Sequence, residues 1–105
     1  MRKVTFIVLK PRPGKTEELI ALLKRSNMIL QQLNIALQKD QILAMSSNGT
    51  IIQIFEWTSE RSLELATEHE EVRELWAEAE KLSDFQKPSS LQEFQEMFPS
   101  LNIIS

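Results

Sequence analysis

Residues 50–57 read Thr50-Ile51-Ile52-Gln53-Ile54-Phe55-Glu56-Trp57. β-Branched and aromatic side chains dominate the stretch, which marks it as a strand. Alternation sends Ile51, Gln53, Phe55 and Trp57 to one face and Ile52, Ile54 and Glu56 to the other. Both faces are mostly apolar. An antiparallel strand with one side in water shows a polar face, so this one must be covered above and below. Val4 to Leu9 has the same character, with Val4, Phe6 and Val8 opposed to Thr5, Ile7 and Leu9.

The surroundings of strand three fix its neighbours. Ser46-Ser47-Asn48-Gly49 supplies the turn before it, and Asn-Gly is the strongest short hairpin signal because both residues tolerate positive φ. Ile42 to Met45 is therefore strand two. Between strands one and two, Pro11, Pro13 and Gly14 break the chain. Leu19, Leu22, Leu23, Leu30 and Leu33 then recur at helical spacing, with Ser26 interrupting the stripe. Thr16 is the expected N-cap, with Glu17 and Glu18 where the helix dipole favours anions. Asn34 to Asp40 reads equally as a frayed helix end or a connection.

After strand three, Thr58 or Ser59 opens helix two. Leu65, Val72, Trp76 and Ala79 share one face of it and the glutamates fall mostly opposite. Thr67-Glu68-His69-Glu70 fits a capping box, so the segment reads as one helix or as two joined near His69. Asp84 to Lys87 is a weak fourth strand, stopped by Pro88. Ser90-Leu91-Gln92-Glu93 opens a short helix to about Phe98, and Leu101 to Ile104 is an apolar tail that reads as a docked strand. The order β, α, β, β, α, β predicts an α+β chain. It is the ferredoxin-like split βαβ: an antiparallel four-stranded sheet, two main helices and an extra short C-terminal helix. Residues 1–88 form the domain, and 89–105 pack on it.

Composition narrows the function. The 105 residues make one domain, able to bury roughly 65% of its unfolded surface. No cysteine is present, which removes disulfides, thiolate nucleophiles and Cys-ligated zinc. The charged opening Met1-Arg2-Lys3 precedes a short apolar run that Lys10-Pro11 closes, so it reads as a strand, not a signal peptide. No stretch reaches the ~18 apolar residues of a membrane span. A cytoplasmic, soluble protein is expected. Net charge is −3, split as +6 over residues 1–39 and −9 over residues 40–105. The halves attract each other or form two solvated faces of opposite sign. Scattered basic residues without interleaved aromatics argue against nucleic acid.

The two-sided apolar strands also predict a partner. With helices on one face of the sheet, the other would expose more apolar surface than a monomer usually carries. A second copy is the simplest cover, because two-fold pairs are the commonest oligomers. The C-terminal tail is the competing cover.

The chain resembles the antibiotic biosynthesis monooxygenase-type family of dimeric α/β barrels. The likeness rests on the opening strand, on Lys10-Pro11-Arg12-Pro13-Gly14-Lys15 leading into a Glu-rich helix start, and on the Asn48-Gly49 hairpin. The strand end Phe55-Glu56-Trp57-Thr58-Ser59 and then His69 and Val72 to Trp76 complete it, over residues 4–87. The resemblance implies a homodimer joined through the open sheet face. It also implies a pocket between sheet and helices that takes a small apolar or aromatic molecule. Some members oxidise aromatic substrates without a cofactor, and others degrade haem. Trp57 matches a pocket tryptophan of the haem-degrading relatives. Their strand-one asparagine and late helix-two histidine have no counterpart here, which argues against haem.

His69 is the sole histidine. It reads as a core histidine with a satisfied hydrogen bond, or as the base or anchoring donor of a pocket. Trp57, Trp76, Phe6, Phe55 and Met45 read as core or as the pocket's walls. No tyrosine, phosphate loop or metal-ligand cluster appears, and no cofactor or metal is expected. Two functions therefore stand. One is a small-molecule-binding barrel, with monooxygenase-like chemistry on an aromatic substrate and His69 as base. The other is a non-catalytic binding or structural dimer with a filled pocket. Pocket volume separates them.

Overall fold

The computed structural model describes residues 3–37, 39 and 41–104. Met1 and Arg2 of the charged opening, Gln38 and Asp40 of the undecided connection, and Ser105 lie outside the described residues.

The chain runs β1 (Val4–Pro11), α1 (Thr16–Gln32), β2 (Ile42–Met45), β3 (Ile51–Glu56), α2 (Ser62–Glu68), α3 (Glu70–Leu82), β4 (Ser83–Gln86) and β5 (Asn102–Ile103). The result is an α+β fold with one antiparallel five-stranded sheet in the order β4-β1-β3-β2-β5. The order of the first four strands is compatible with a ferredoxin-like arrangement. The sheet has five strands because the tail docks beside β2, with Ala44 opposite Ile103 and Met45 opposite Asn102. In place of the short helix expected to Phe98 stand two 3-10 turns, Pro88–Ser90 and Gln92–Gln95.

Cross-strand pairing sorts the side chains. Leu9 and Ile51, Ile7 and Gln53, and Leu43 and Gln53 are opposite one another, and this face meets the helices. Leu9, Leu43 and Ile51 form one core with Leu19, Leu22, Leu23, Leu75 and Ala79. Phe55 and Trp57 join Leu30, Ile35, Ala36, Ala66 and Val72 in a second. Ser26 lies within the α1 stripe, buried, its hydroxyl donating to the Leu23 carbonyl. Gln53 is satisfied despite burial: its Nε2 donates to Gln41 Oε1 at 2.7 Å, and Gln41 Nε2 donates to the Leu23 carbonyl.

Helix α1 starts one residue earlier than the capping pattern suggests, with Lys15, not Thr16, at the N-cap and no side-chain cap bond. It ends in a Schellman motif. Asn34 takes φ 58°, its N–H donates to the Gln31 carbonyl, and Ile35 N–H donates to the Leu30 carbonyl at 2.8 Å. The helical stretch after β3 is two helices. His69 is extended, with φ −86° and ψ 121°. This break resets the helical phase, so Leu65, expected on the stripe with Val72 and Ala79, is 40% exposed. Ser62 and Ala66 are the buried residues of α2. In the hairpin only Gly49 has positive φ, at 87°. Asn48 acts through its side chain instead: Oδ1 accepts the Thr50 N–H at 3.0 Å.

The oppositely charged halves meet in ion pairs. Arg12 reaches Asp84 at 3.1 Å, Arg25 reaches Glu78 at 3.0 Å, and Lys39 reaches Glu56 at 2.6 Å. The first two are exposed and contribute little.

Beyond β4 the chain forms a strap over the face away from the helices. Leu91, 1% exposed, packs with Val8 and Ile52, and Leu101 and Ile54 lie against them. Glu93 then reaches the β2–β3 turn, where its carboxylate accepts the Ser47 N–H at 2.8 Å. That bond holds its carboxyl below the usual glutamate range. The strap returns as β5. It covers only part of the face: Val4, Phe6 and Ile42 stay exposed.

Candidate functional site

The space between sheet and helices is nearly closed. A cavity of about 10 Å3 remains there, lined among others by Ser26, Gln53, Leu75 and Trp76. That is room for about one water, too little for an organic ligand.

A larger cleft opens at the sheet's edge. Strand β4 pairs only with Val8 to Pro11, so among the described residues no strand lies beside Val4–Ile7 on that side. The direction of the backbone groups there follows from two bonds. Trp57 N–H donates to the Lys3 carbonyl towards β3, and Arg12 N–H donates to the Leu82 carbonyl towards α3 and β4. Alternation then points the N–H and C=O of Val4 and Phe6 outward along the uncovered edge. Trp57, Leu63 and Trp76 rise on the helix side of this edge, and Phe6, Phe85 and Gln86 complete the walls. The cleft measures about 290 Å3. It adjoins a wider hollow of about 400 Å3, where Lys3, Ser59 and Glu60 supply a polar rim.

Local sequence explains the walls. Trp57 is held on both backbone sides, by Lys3 and by an isolated bridge to Ala36. Its ring meets Phe55 edge to face at 4.7 Å and 78°, a favourable aromatic geometry. Trp76 is half-buried on α3 beside the buried Val72 and Ala79. Leu63, 56% exposed, projects from α2.

The structure thus brings Trp57, Trp76 and Phe6 together at one cleft. Phe55 stands behind Trp57. Met45 packs at the other end of the helix-side core. His69 sits at the α2–α3 junction, with its Nδ1 buried and without a hydrogen-bond partner. It is not among the residues lining the cleft. The sequence did not single out Leu63, Phe85 or Gln86. Two leucines in an otherwise acidic helix, Leu63 and Leu65, were the available signal for the first.

The lining residues are Thr5, Phe6, Ile7, Val8, Trp57, Leu63, Trp76, Phe85 and Gln86, none of them ionisable. The cleft therefore offers aromatic walls, two neutral polar side chains and the donor and acceptor groups of an open strand edge. Ligand pockets combine features in this way: apolar lining with few, placed polar groups. Among the described residues no group of three or more His, Cys, Asp or Glu is arranged to hold a metal ion, and no helix is long and apolar enough to cross a membrane. Comparisons with family models, with characterised proteins and with solved structures found no match in any of the three.

Proposed function

We propose that this protein is a homodimeric α/β barrel that binds a small, flat, apolar or aromatic molecule at the β1 edge without transforming it. The observation that carries the reading is the 290 Å3 cleft, walled by Phe6, Trp57, Trp76 and Phe85 and lined by no ionisable side chain. Its size lies at the low end for ligand pockets, which suits a molecule of one or two fused rings. The outward N–H and C=O of Phe6 orient a ligand that carries one polar edge.

Cofactor-free oxidation of an aromatic substrate needs a base beside the ring to draw off a proton. His69 would be that base, and it stands at the helix junction outside the cleft lining. This favours binding over monooxygenase chemistry. The homodimer reading draws its support from the exposed apolar residues of the uncovered sheet face, Val4, Phe6 and Ile42, taken together with Ile103, Met97 and Phe98 of the C-terminal segment.

Fluorescence titration tests the function directly. The chain has two tryptophans and no tyrosine, and both tryptophans line the cleft. Intrinsic emission therefore reports on this cleft and on the hollow and small cavity that border it. Titration with 2-naphthol should change it saturably, and Leu63→Arg should abolish the change without unfolding the protein. A wild-type response that Leu63→Arg leaves intact would place binding elsewhere. Oxygen consumption with 1,3-dihydroxynaphthalene above the uncatalysed rate would instead restore the oxygenase reading.

A further inference from the structure

The uncovered part of the sheet has an ordered layout. On the face away from the helices, cross-strand partners form rows. One row is Ile103, Ala44, Ile52, Val8 and Gln86, and the next is Ile42, Ile54 and Phe6, followed by Glu56 and Val4. The strap lies on the first row, where Ala44 is 3%, Ile52 0% and Val8 2% exposed. The other rows hold the exposed Ile42, Phe6 and Val4. The strap carries its own apolar surface as well. Met97 is 87% and Phe98 81% exposed, and Pro99 follows them.

We infer that this strap is the dimerisation element: the Met97–Phe98 ridge of each subunit seats on the uncovered rows of the other subunit's sheet. The inference rests on the homodimer reading and specifies its contact. Two packed sheets lie ~10 Å apart, and a strap over one row already fills that layer, so two such faces cannot stack flat. A two-fold axis solves the conflict, because each strap then caps its own first row and its partner's remaining rows.

Area supports the same answer. Taking ~200 Å2 for a fully exposed large apolar residue, Val4, Phe6 and Ile42 offer about 300 Å2. A monomer tolerates that. Adding Ile103, at 71% exposed, with Met97 and Phe98 raises the total to about 770 Å2 per subunit. A standard stable interface takes ~800 Å2 from each partner. The sheet face without the ridge falls well short.

Sedimentation velocity and cysteine cross-linking test the inference. Wild-type protein should sediment as a dimer at micromolar concentration. Met97→Glu/Phe98→Glu should weaken dimerisation roughly a hundredfold or more, with an unchanged far-UV spectrum, since both side chains stand in solvent in the single chain. The natural chain has no cysteine, so mixing Phe98→Cys with Ile42→Cys chains should give an intersubunit disulfide on mild oxidation. Phe98→Cys mixed with Lys24→Cys should not. A wild-type monomer overturns both the dimer and the strap's role in it. A wild-type dimer that survives Met97→Glu/Phe98→Glu but dissociates in Ile42→Glu keeps the sheet-face dimer and refutes the strap. Absence of the Phe98–Ile42 cross-link refutes the strap even if the glutamate variant misfolds.

Discussion

Leu91→Ala probes how firmly the strap is fastened. Leu91 is 1% exposed and packs with Val8 and Ile52, themselves 2% and 0% exposed. The substitution deletes three carbons, worth ~0.8 kcal/mol each in transfer alone, or about 2.4 kcal/mol. A cavity term adds to this, and buried Leu→Ala changes span 2–5 kcal/mol. Among the described residues the strap is otherwise held by the Glu93–Ser47 bond, the partly buried Leu101, the two-residue β5, and Ile104, which packs on the helix-side core and donates its N–H to the Leu43 carbonyl. It can still settle onto the sheet, which puts the expected loss near the low end, about 3 kcal/mol. For a domain of this size that lowers the melting temperature by roughly 10–20 °C. Urea unfolding followed by far-UV circular dichroism measures it, at one fixed subunit concentration because dimerisation adds to apparent stability. An unchanged m-value would mean the strap unfolds with the domain; a reduced one would mean it has already peeled off. A loss below ~1 kcal/mol would refute the claim that Leu91 closes this side of the sheet.

Other substitutions address separate parts of the argument. Asn34→Ala should cost about 1 kcal/mol in thermal or urea unfolding, because the short polar side chain of asparagine tolerates the left-handed conformation at the end of α1 better than the alanine methyl does; Asn34→Gly, which has no β-carbon, should be neutral or stabilising. Gln41→Ala strands the buried Gln53 amide and should cost about 1–3 kcal/mol, whereas the double change Gln41→Ala/Gln53→Leu should recover part of that loss. Glu93 gives a pH dependence. Its Ser47 N–H bond lowers its folded value, so its contribution is complete above the ordinary 4.5 and disappears as pH falls through that lowered value. Peptic cleavage within residues 88–104 should rise across that acidic window in the wild type, and a Glu93→Gln chain should lack that step.

Strand and helix positions were legible where one residue type dominated. The β-branched runs at 4–9 and 51–56 and the Asn48-Gly49 hairpin all lie where alternation and turn chemistry put them. A helix break near His69 was legible as one of two readings, although the capping box that suggested it does not form: Thr67 belongs to α2, its hydroxyl donates to the Glu64 carbonyl, and α3 has His69 at its N-cap without a side-chain cap bond. The consequence of the break was not legible, since an extended residue shifts the phase of everything before it and moves Leu65 off the core face. The strap was legible only in part, as an apolar tail that docks as a strand and as the competing cover for the sheet; its path across the face was not. Its 3-10 turns have no periodic apolar stripe, and Leu91 finds Val8 and Ile52 only across the assembled sheet. The site was half visible. Trp57, Trp76 and Phe6 were readable as large aromatics that form core or pocket walls, but the cleft exists because β4 is too short to cover β1, and strand length is a property of the pairing.

The walls of the cleft differ in mechanical footing. Trp57 is clamped into the sheet through Lys3 and tied to the end of α1 through Ala36, while Thr58 bonds the Asn34 and Ile35 carbonyls. Leu63 stands on a seven-residue helix bounded by the extended His69. That short helix is itself pinned at its start, where the buried Ser62 hydroxyl accepts the Ser59 N–H, so under the proposed binding function the give for a bulkier guest would lie in the exposed Leu63 side chain while the indole of Trp57 stays put.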